Sequence, residues 1–143
     1  MINFPFTILV DSEKDTSELA NKLIEIINLG DVVCLNGNLG SGKTFFVKEF
    51  CKCLNIQNVS SPSFAIVNEY FGTKKVYHFD FYRLKKVGEL FDIGFEEYLL
   101  DKEAIVFIEW ANLFSEVLPK KRIEINIEII NDNKRKFTIT KNE

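Results

Sequence analysis

Residues Gly37-Asn38-Leu39-Gly40-Ser41-Gly42-Lys43-Thr44 read G-x-x-x-x-G-K-T, between the apolar run Val32 to Leu35 and the helix-like stretch Thr44 to Cys53. Strand, glycine-rich loop and helix in that order are the setting of a phosphate-binding loop, the Walker A motif. The glycines let the backbone curl so that successive N–H groups point inward, and the helix N-terminus adds roughly half a positive charge at the same place. The chemistry expected is polyphosphate binding. Gly37 to Thr44 cradle the phosphates, Lys43 reaches the β- and γ-phosphates, and the Thr44 hydroxyl binds a Mg²⁺ that bridges them.

Such a loop needs a carboxylate to orient the magnesium shell, at the end of a buried strand beside the loop's own strand. Asp80 closes the run that starts at Val76, and Glu109 closes Ala104 to Ile108. Only the second run is wholly apolar, as expected of a central parallel strand, whereas His78 interrupts the first inside an expected hairpin. Glu109 therefore takes the Walker B role, holding the metal with Thr44. Asp80 is assigned to the mouth of the site, orienting the attacking water or a metal-bound one. Its plainer alternative is a strand-end cap or a partner for Arg83.

Arg83 itself fits an ion pair, a partner-protein contact or an arginine finger on the γ-phosphate, pairing being the commonest outcome. A lone imidazole in an aromatic strand is more often a hydrogen-bonded structural group than a base, so His78 is left out of catalysis. Trp110 either walls the pocket or packs a core strand. Ser60, Ser61 and Ser63 around Pro62 read by themselves as a turn.

The elements that must position these groups follow from periodicity. Phe6 to Val10 reads as a strand. Asp11 to Thr16 supplies capping residues before a helix whose apolar positions run from Leu19 to Ile27 and which Gly30 ends. Val32 to Asn36 is the strand before the loop, and Phe45, Phe46, Val47, Phe50 and Leu54 mark the sheet-facing side of the next helix. Ser63 to Phe71 and Lys75 to Phe81 form an antiparallel hairpin about Gly72-Thr73. Val87 to Leu100 holds one or two short helices interrupted near Gly94, and Arg122 to Ile130 pairs with Phe137 to Thr140 across Asn131 to Asn133. The expected fold is α/β: a P-loop NTPase-like three-layer domain, its central mixed sheet carrying antiparallel hairpins and a few short helices. Residues 1–143 are expected to form a single P-loop ATPase domain.

Composition narrows the partners. Eighteen basic against 21 acidic residues leave a net charge of −3, which disfavours direct nucleic-acid binding as the main activity. Three cysteines, Cys34, Cys51 and Cys53, make no zinc set and fit reduced thiols. No apolar run approaches the roughly 20 residues that span a bilayer, and the first ten residues do not read as a leader, so a soluble cytoplasmic protein without membrane association is expected. The 14 phenylalanines read mainly as core, with any exposed cluster between Phe81 and Phe95 a candidate protein interface. The lysine doublets at 74–75, 85–86 and 120–121 read as solvated charge.

Four blocks in order, Gly37 to Thr44, Ser61-Pro62-Ser63-Phe64 leading into Val67-Asn68-Glu69-Tyr70, His78 to Leu84, and Ile108-Glu109-Trp110, resemble the TsaE (YjeE) family of bacterial ATPases over most of the chain. The resemblance implies an ATP hydrolase, slow alone, that uses Mg²⁺ and serves TsaB and TsaD in forming N6-threonylcarbamoyladenosine at position 37 of tRNA. The tRNA would be met only through that complex. Position by position it implies Lys43 on the phosphates, Thr44 and Glu109 on magnesium, and Asp80 in hydrolysis. It also implies a switch-like loop at Ser60 to Phe64 whose Ser63 senses the γ-phosphate, Trp110 beside the nucleotide, and Thr16 touching nucleotide from the first helix. Phe45 stands where the family commonly has a second Thr, and Ser63 keeps the hydroxyl of the usual Thr. ATP over GTP rests on this resemblance, since no Asn-Lys-x-Asp motif is present. The main alternative is a small-molecule kinase, against which weigh only three arginines and no long insert to close over a substrate. A nucleotide-gated binding module with incidental hydrolysis is a third reading.

Overall fold

The computed structural model describes residues 3–60 and 66–143. Seven strands form one sheet in the order β1-β7-β6-β2-β5-β4-β3. In chain order the elements are β1 (Phe6–Val10), α1 (Glu13–Leu23), β2 (Val32–Gly37), α2 (Lys43–Lys52), β3 (Val67–Phe71) and β4 (Lys75–Asp80). After a 3₁₀ turn (Phe81–Arg83) come α3 (Gly88–Asp92), α4 (Phe95–Leu100), β5 (Ala104–Glu109), a 3₁₀ segment (Ala111–Val117), β6 (Arg122–Ile129) and β7 (Arg135–Asn142). The centre, β6-β2-β5-β4, is parallel. Antiparallel strands flank it, β3 on one side and β7 with β1 on the other. The expected α/β mixed sheet with few short helices is therefore present.

Side-chain alternation divides the core. Val33 and Leu35 of β2 and Ile105 and Phe107 of β5 meet Leu19 and Leu23 of α1 and Phe46 and Phe50 of α2. Their neighbours Cys34, Val106 and Ile108 meet Leu90 and Phe95 on the opposite face. Every residue of β5 is buried, as a strand covered on both faces requires. Phe107 packs edge-on against Phe50 with ring centroids 5.1 Å apart, and burying one such side chain contributes about 2–3 kcal/mol. Phe81 and Phe95 are buried, so the exposed aromatics between them are Tyr82 and Phe91.

Three expectations need adjustment. The first helix stops at Leu23, short of Gly30. The chain tightens there into turns in which the N–H groups of Ile26 and Ile27 both donate to the Leu23 carbonyl, so Ile27 still reaches the core while the β-branched run leaves the helix. Second, β4 is more than a hairpin arm, because it also pairs in parallel with β5 and places Asp80 opposite Glu109. The assumed contrast between a hairpin strand and a central strand is thus lost. Third, β3 begins at Val67, and the earlier part of the expected arm, including Ser63, falls outside the described residues. The turn that closes this hairpin needs Gly72, since a Cβ there would lie 2.1 Å from the Leu54 carbonyl oxygen. No helix among the described residues is long and apolar enough to cross a membrane.

Candidate functional site

Strands β2, β4 and β5 all end on one edge of the sheet, where open α/β sheets bind ligands. The chain leaves β2 at Gly37 and turns through Gly40 (φ 80°) and Gly42 (φ 109°), backbone angles that side chains with a Cβ rarely adopt. A Cβ on Gly37 would come within 2.5 Å of the Ser41 hydroxyl oxygen and 2.7 Å of the Ile127 carbonyl oxygen, so the start of the loop admits only glycine. Ser41 is buried with no hydrogen-bond partner for its hydroxyl among the described residues. An orphaned polar atom inside a loop of this shape is one a ligand would satisfy.

Lys43, at the first turn of α2, is 4% exposed. Its ammonium donates to the carbonyls of Gly37 at 2.6 Å and Asn38 at 3.1 Å and lies 4.1 Å from the centre of the Trp110 ring. Burial lowers the pKa of this amine, while Glu109 and Asp80 pull it back up. Trp110 holds its position with φ 57°, a left-handed backbone costly for so large a residue, and its N–H donates to the Leu35 carbonyl at 2.9 Å. On the other side its ring packs on Tyr82, centroids 4.9 Å apart.

The Thr44 hydroxyl lies 2.8 Å from each carboxylate oxygen of Glu109, which is itself buried. Across the β4–β5 ladder, Asp80 accepts the Tyr82 N–H at 3.0 Å, so it does cap the 3₁₀ turn. It makes no ion pair with Arg83, although both line the same hollow of about 380 Å³ with Lys43, Thr44 and Glu109. Burial raises the Asp80 pKa, the Tyr82 N–H opposes this, and the charge of Glu109 raises it further.

The loop is a ridge with hollows on both sides. The second, also about 380 Å³, is lined by Thr16 and Ser12 from around α1, by Gly40 to Gly42, and by Asn133 and Arg135 near β7. Leu39, Gly40, Gly42, Lys43 and Thr44 of the loop therefore converge with Asp80, Glu109 and Trp110 on one side, Ser41 faces the second hollow with Thr16, Gly37 and Asn38 line neither hollow but receive the Lys43 ammonium on their carbonyls, and Ser63 lies outside the described residues. Sequence reasoning left out three groups: Tyr82, Arg135, and His78 as a partner of Glu109. His78 is wholly buried, and its Nε2 lies 2.6 Å from Glu109 Oε2. The signal available for it was period two, which puts residues 78 and 80 of one strand on the same face.

The donor set fits magnesium with a nucleotide. A threonine hydroxyl and two carboxylates are hard oxygen ligands, and magnesium held partly by substrate phosphates needs only one or two carboxylates. Among the described residues no group of three or more His, Cys, Asp or Glu side chains could hold a metal ion.

Residues 10–137 match the model of the family described as threonylcarbamoyl adenosine biosynthesis protein TsaE. The chain belongs to the TsaE family. Among TsaE relatives, the tRNA threonylcarbamoyladenosine biosynthesis protein of Rickettsia felis is 37% identical over 138 residues, covering 94% of this chain and 80% of that one. The Bacillus subtilis protein of the same name is 38% identical over 129 residues, 89% of this chain and 80% of its own length. The crystal structure of YdiB from Bacillus subtilis superposes with a TM-score of 0.80 at 30% identity, covering 100% of this chain and 89% of that one. The TsaE resemblance read from four sequence blocks thus holds over nearly the whole chain.

Proposed function

We propose that this TsaE-family chain is a magnesium-dependent ATP hydrolase that supports TsaB and TsaD in forming N6-threonylcarbamoyladenosine at position 37 of tRNA. The observation that carries the hydrolase is the convergence of Lys43, Thr44, Asp80 and Glu109 around a glycine loop, at the shared end of three parallel strands. The names of its relatives carry the tRNA modification, and the sequence blocks of the family carry the partners. The net charge of −3 agrees with tRNA being met through the assembly, in the cytoplasm.

In this reading the amides of Gly37 to Thr44 hold the phosphates, and the Lys43 ammonium exchanges two loop carbonyls for phosphate oxygens. Thr44 and Glu109 would hold the magnesium, whose charge would offset that of the β- and γ-phosphates. Asp80, its carboxylate made more basic by burial, orients the water. Trp110 walls the phosphate side. Thr16 contacts the nucleotide from the second hollow, and Ser63 senses the γ-phosphate.

Calorimetric titration of the purified chain with ATP, with and without Mg²⁺, tests the reading when phosphate release is followed in parallel with and without TsaB and TsaD. Tight binding with magnesium and slow release that the two partners accelerate are expected. Absence of binding heat overturns the proposal, and phosphate transfer to an added metabolite replaces it with a kinase.

A further inference from the structure

The buried face of β4 holds a line of polar contacts inside an otherwise apolar cluster. It starts at the Thr44 hydroxyl, which contacts Glu109, and continues through Glu109 Oε2 to His78 Nε2 at 2.6 Å. His78 Nδ1 then lies 3.3 Å from the Tyr70 hydroxyl. That hydroxyl donates to the Ser60 carbonyl at 2.9 Å and accepts the Ser60 N–H at 3.3 Å. Asn68 reinforces the far end, its amide donating to the Ser60 carbonyl at 3.2 Å and to the Tyr70 oxygen at 3.3 Å. Strand register builds the line, because Asn68 stands opposite His78, and Tyr70 opposite Val76, in the β3–β4 ladder.

Burying an imidazole against a carboxylate, with the half-buried Tyr70 phenol beside them, costs more than filling the same volume with Leu or Phe unless every polar atom is paired. A polar line that runs from the surface at Ser60 through a buried His78–Glu109 pair to the groups nearest the proposed magnesium position calls for a use. With its proton on Nε2, His78 donates to Oε2, which like Oε1 lies 2.8 Å from the Thr44 hydroxyl. Nδ1 is then an acceptor. The Tyr70 hydroxyl has one proton and two acceptors within reach, Nδ1 and the Ser60 carbonyl, so a stronger contact with one weakens the other.

We propose that His78 is a positioning residue for Glu109, and that Tyr70 couples this pair to the backbone at Ser60, so that magnesium coordination and the seating of the chain at Ser60 are linked. Coupling of this kind acts in both directions. The inference rests on the proposed nucleotide site and adds to it the means by which metal occupancy reaches Ser60, within the segment between α2 and β3.

The test uses ADP binding, followed by the fluorescence of Trp110, the chain's one tryptophan, at graded Mg²⁺ and in EDTA. His78→Leu should raise the Mg²⁺ midpoint about tenfold or more, the scale on which partners of metal ligands act, with affinity in EDTA unchanged. His78→Gln, which returns a donor to Glu109, should recover part of the shift. The parent chain should show a Mg²⁺-dependent change in amide exchange at Ser60, and Tyr70→Phe should abolish it. A purely structural role would lower the melting temperature and leave the Mg²⁺ midpoint where it was, and that result in folded His78→Leu overturns the proposal. If His78→Leu does not fold, an unmoved midpoint in His78→Gln together with unchanged Ser60 exchange in Tyr70→Phe overturns it equally. A parent chain that binds no nucleotide sinks both this inference and the proposed function, whereas a parent that binds beside unaffected variants sinks this inference alone.

Discussion

Strand β4 has an acidic group at each end, and the two are treated in opposite ways. At its start, Asp101 receives the Lys75 ammonium at 2.7 Å, the Tyr77 hydroxyl at 2.5 Å and the Glu103 N–H at 2.9 Å. Those donors, Lys75 foremost, hold its carboxyl down at a pKa of about 2. At its other end, Asp80 has one N–H donor, no ion-pair partner among the described residues, and Glu109 as its neighbour across the ladder, and burial pushes its pKa up. The first arrangement closes its own electrostatics and ties the end of α4 to the strand. The second leaves charge under-compensated in a hollow, which is how groups that await a ligand differ from groups that hold a fold.

Substitutions at the open end should cost function and little stability. Lys43→Ala should weaken ATP binding about a hundredfold or more, since it removes charge-assisted contacts of roughly 3 kcal/mol in all. Its melting temperature should hold or rise, because burial disfavours that ammonium. Calorimetry and a thermal melt check both halves. Glu109→Gln should slow magnesium-dependent phosphate release by roughly 100- to 1000-fold with Mg²⁺-free nucleotide affinity retained. Unchanged release would remove Glu109 from the metal.

Asp80→Asn should slow release by roughly 100-fold. The sign of its stability effect is informative. A carboxyl whose pKa is raised on folding subtracts stability when ionised, so at pH 7 the amide should melt at the same temperature or higher. A clear fall with release intact would make capping of Tyr82 the main task of Asp80.

Much of the open end was legible because its signals are local. The glycines at 40 and 42 encode backbone angles and Gly37 a close approach within one loop, and the apolar run before Glu109 encodes a strand buried on both faces. The pairing of Asp80 with Glu109 was not legible, because it depends on β4 lying parallel to β5, a register that residues 75–80 alone do not specify. The partnership of His78 and Glu109 spans 31 positions for the same reason. Local pattern also misled at the end of α1, where Ile24, Ile26 and Ile27 keep helical spacing although the chain has turned out of the helix. The closed end was invisible throughout, since Lys75 and Tyr77 read as an ordinary surface lysine and a strand residue and nothing local marks Asp101, 24 positions from Tyr77, as their partner.

That closed end supplies the smallest effect and the control for the others. Asp101 has its pKa lowered on folding, so the stability it adds is complete above its unfolded value near 3.8 and is lost as pH falls toward about 2. Asp101→Asn should therefore lower the melting temperature modestly at pH 7 and flatten its fall between about pH 4 and pH 2, with ATP binding and phosphate release unchanged. Melts at pH 7, 4 and 2.5, run beside Asp80→Asn, measure the contrast directly. If the two amides shifted stability in the same direction at pH 7, the division between a closed structural end and an open functional end of β4 would not stand.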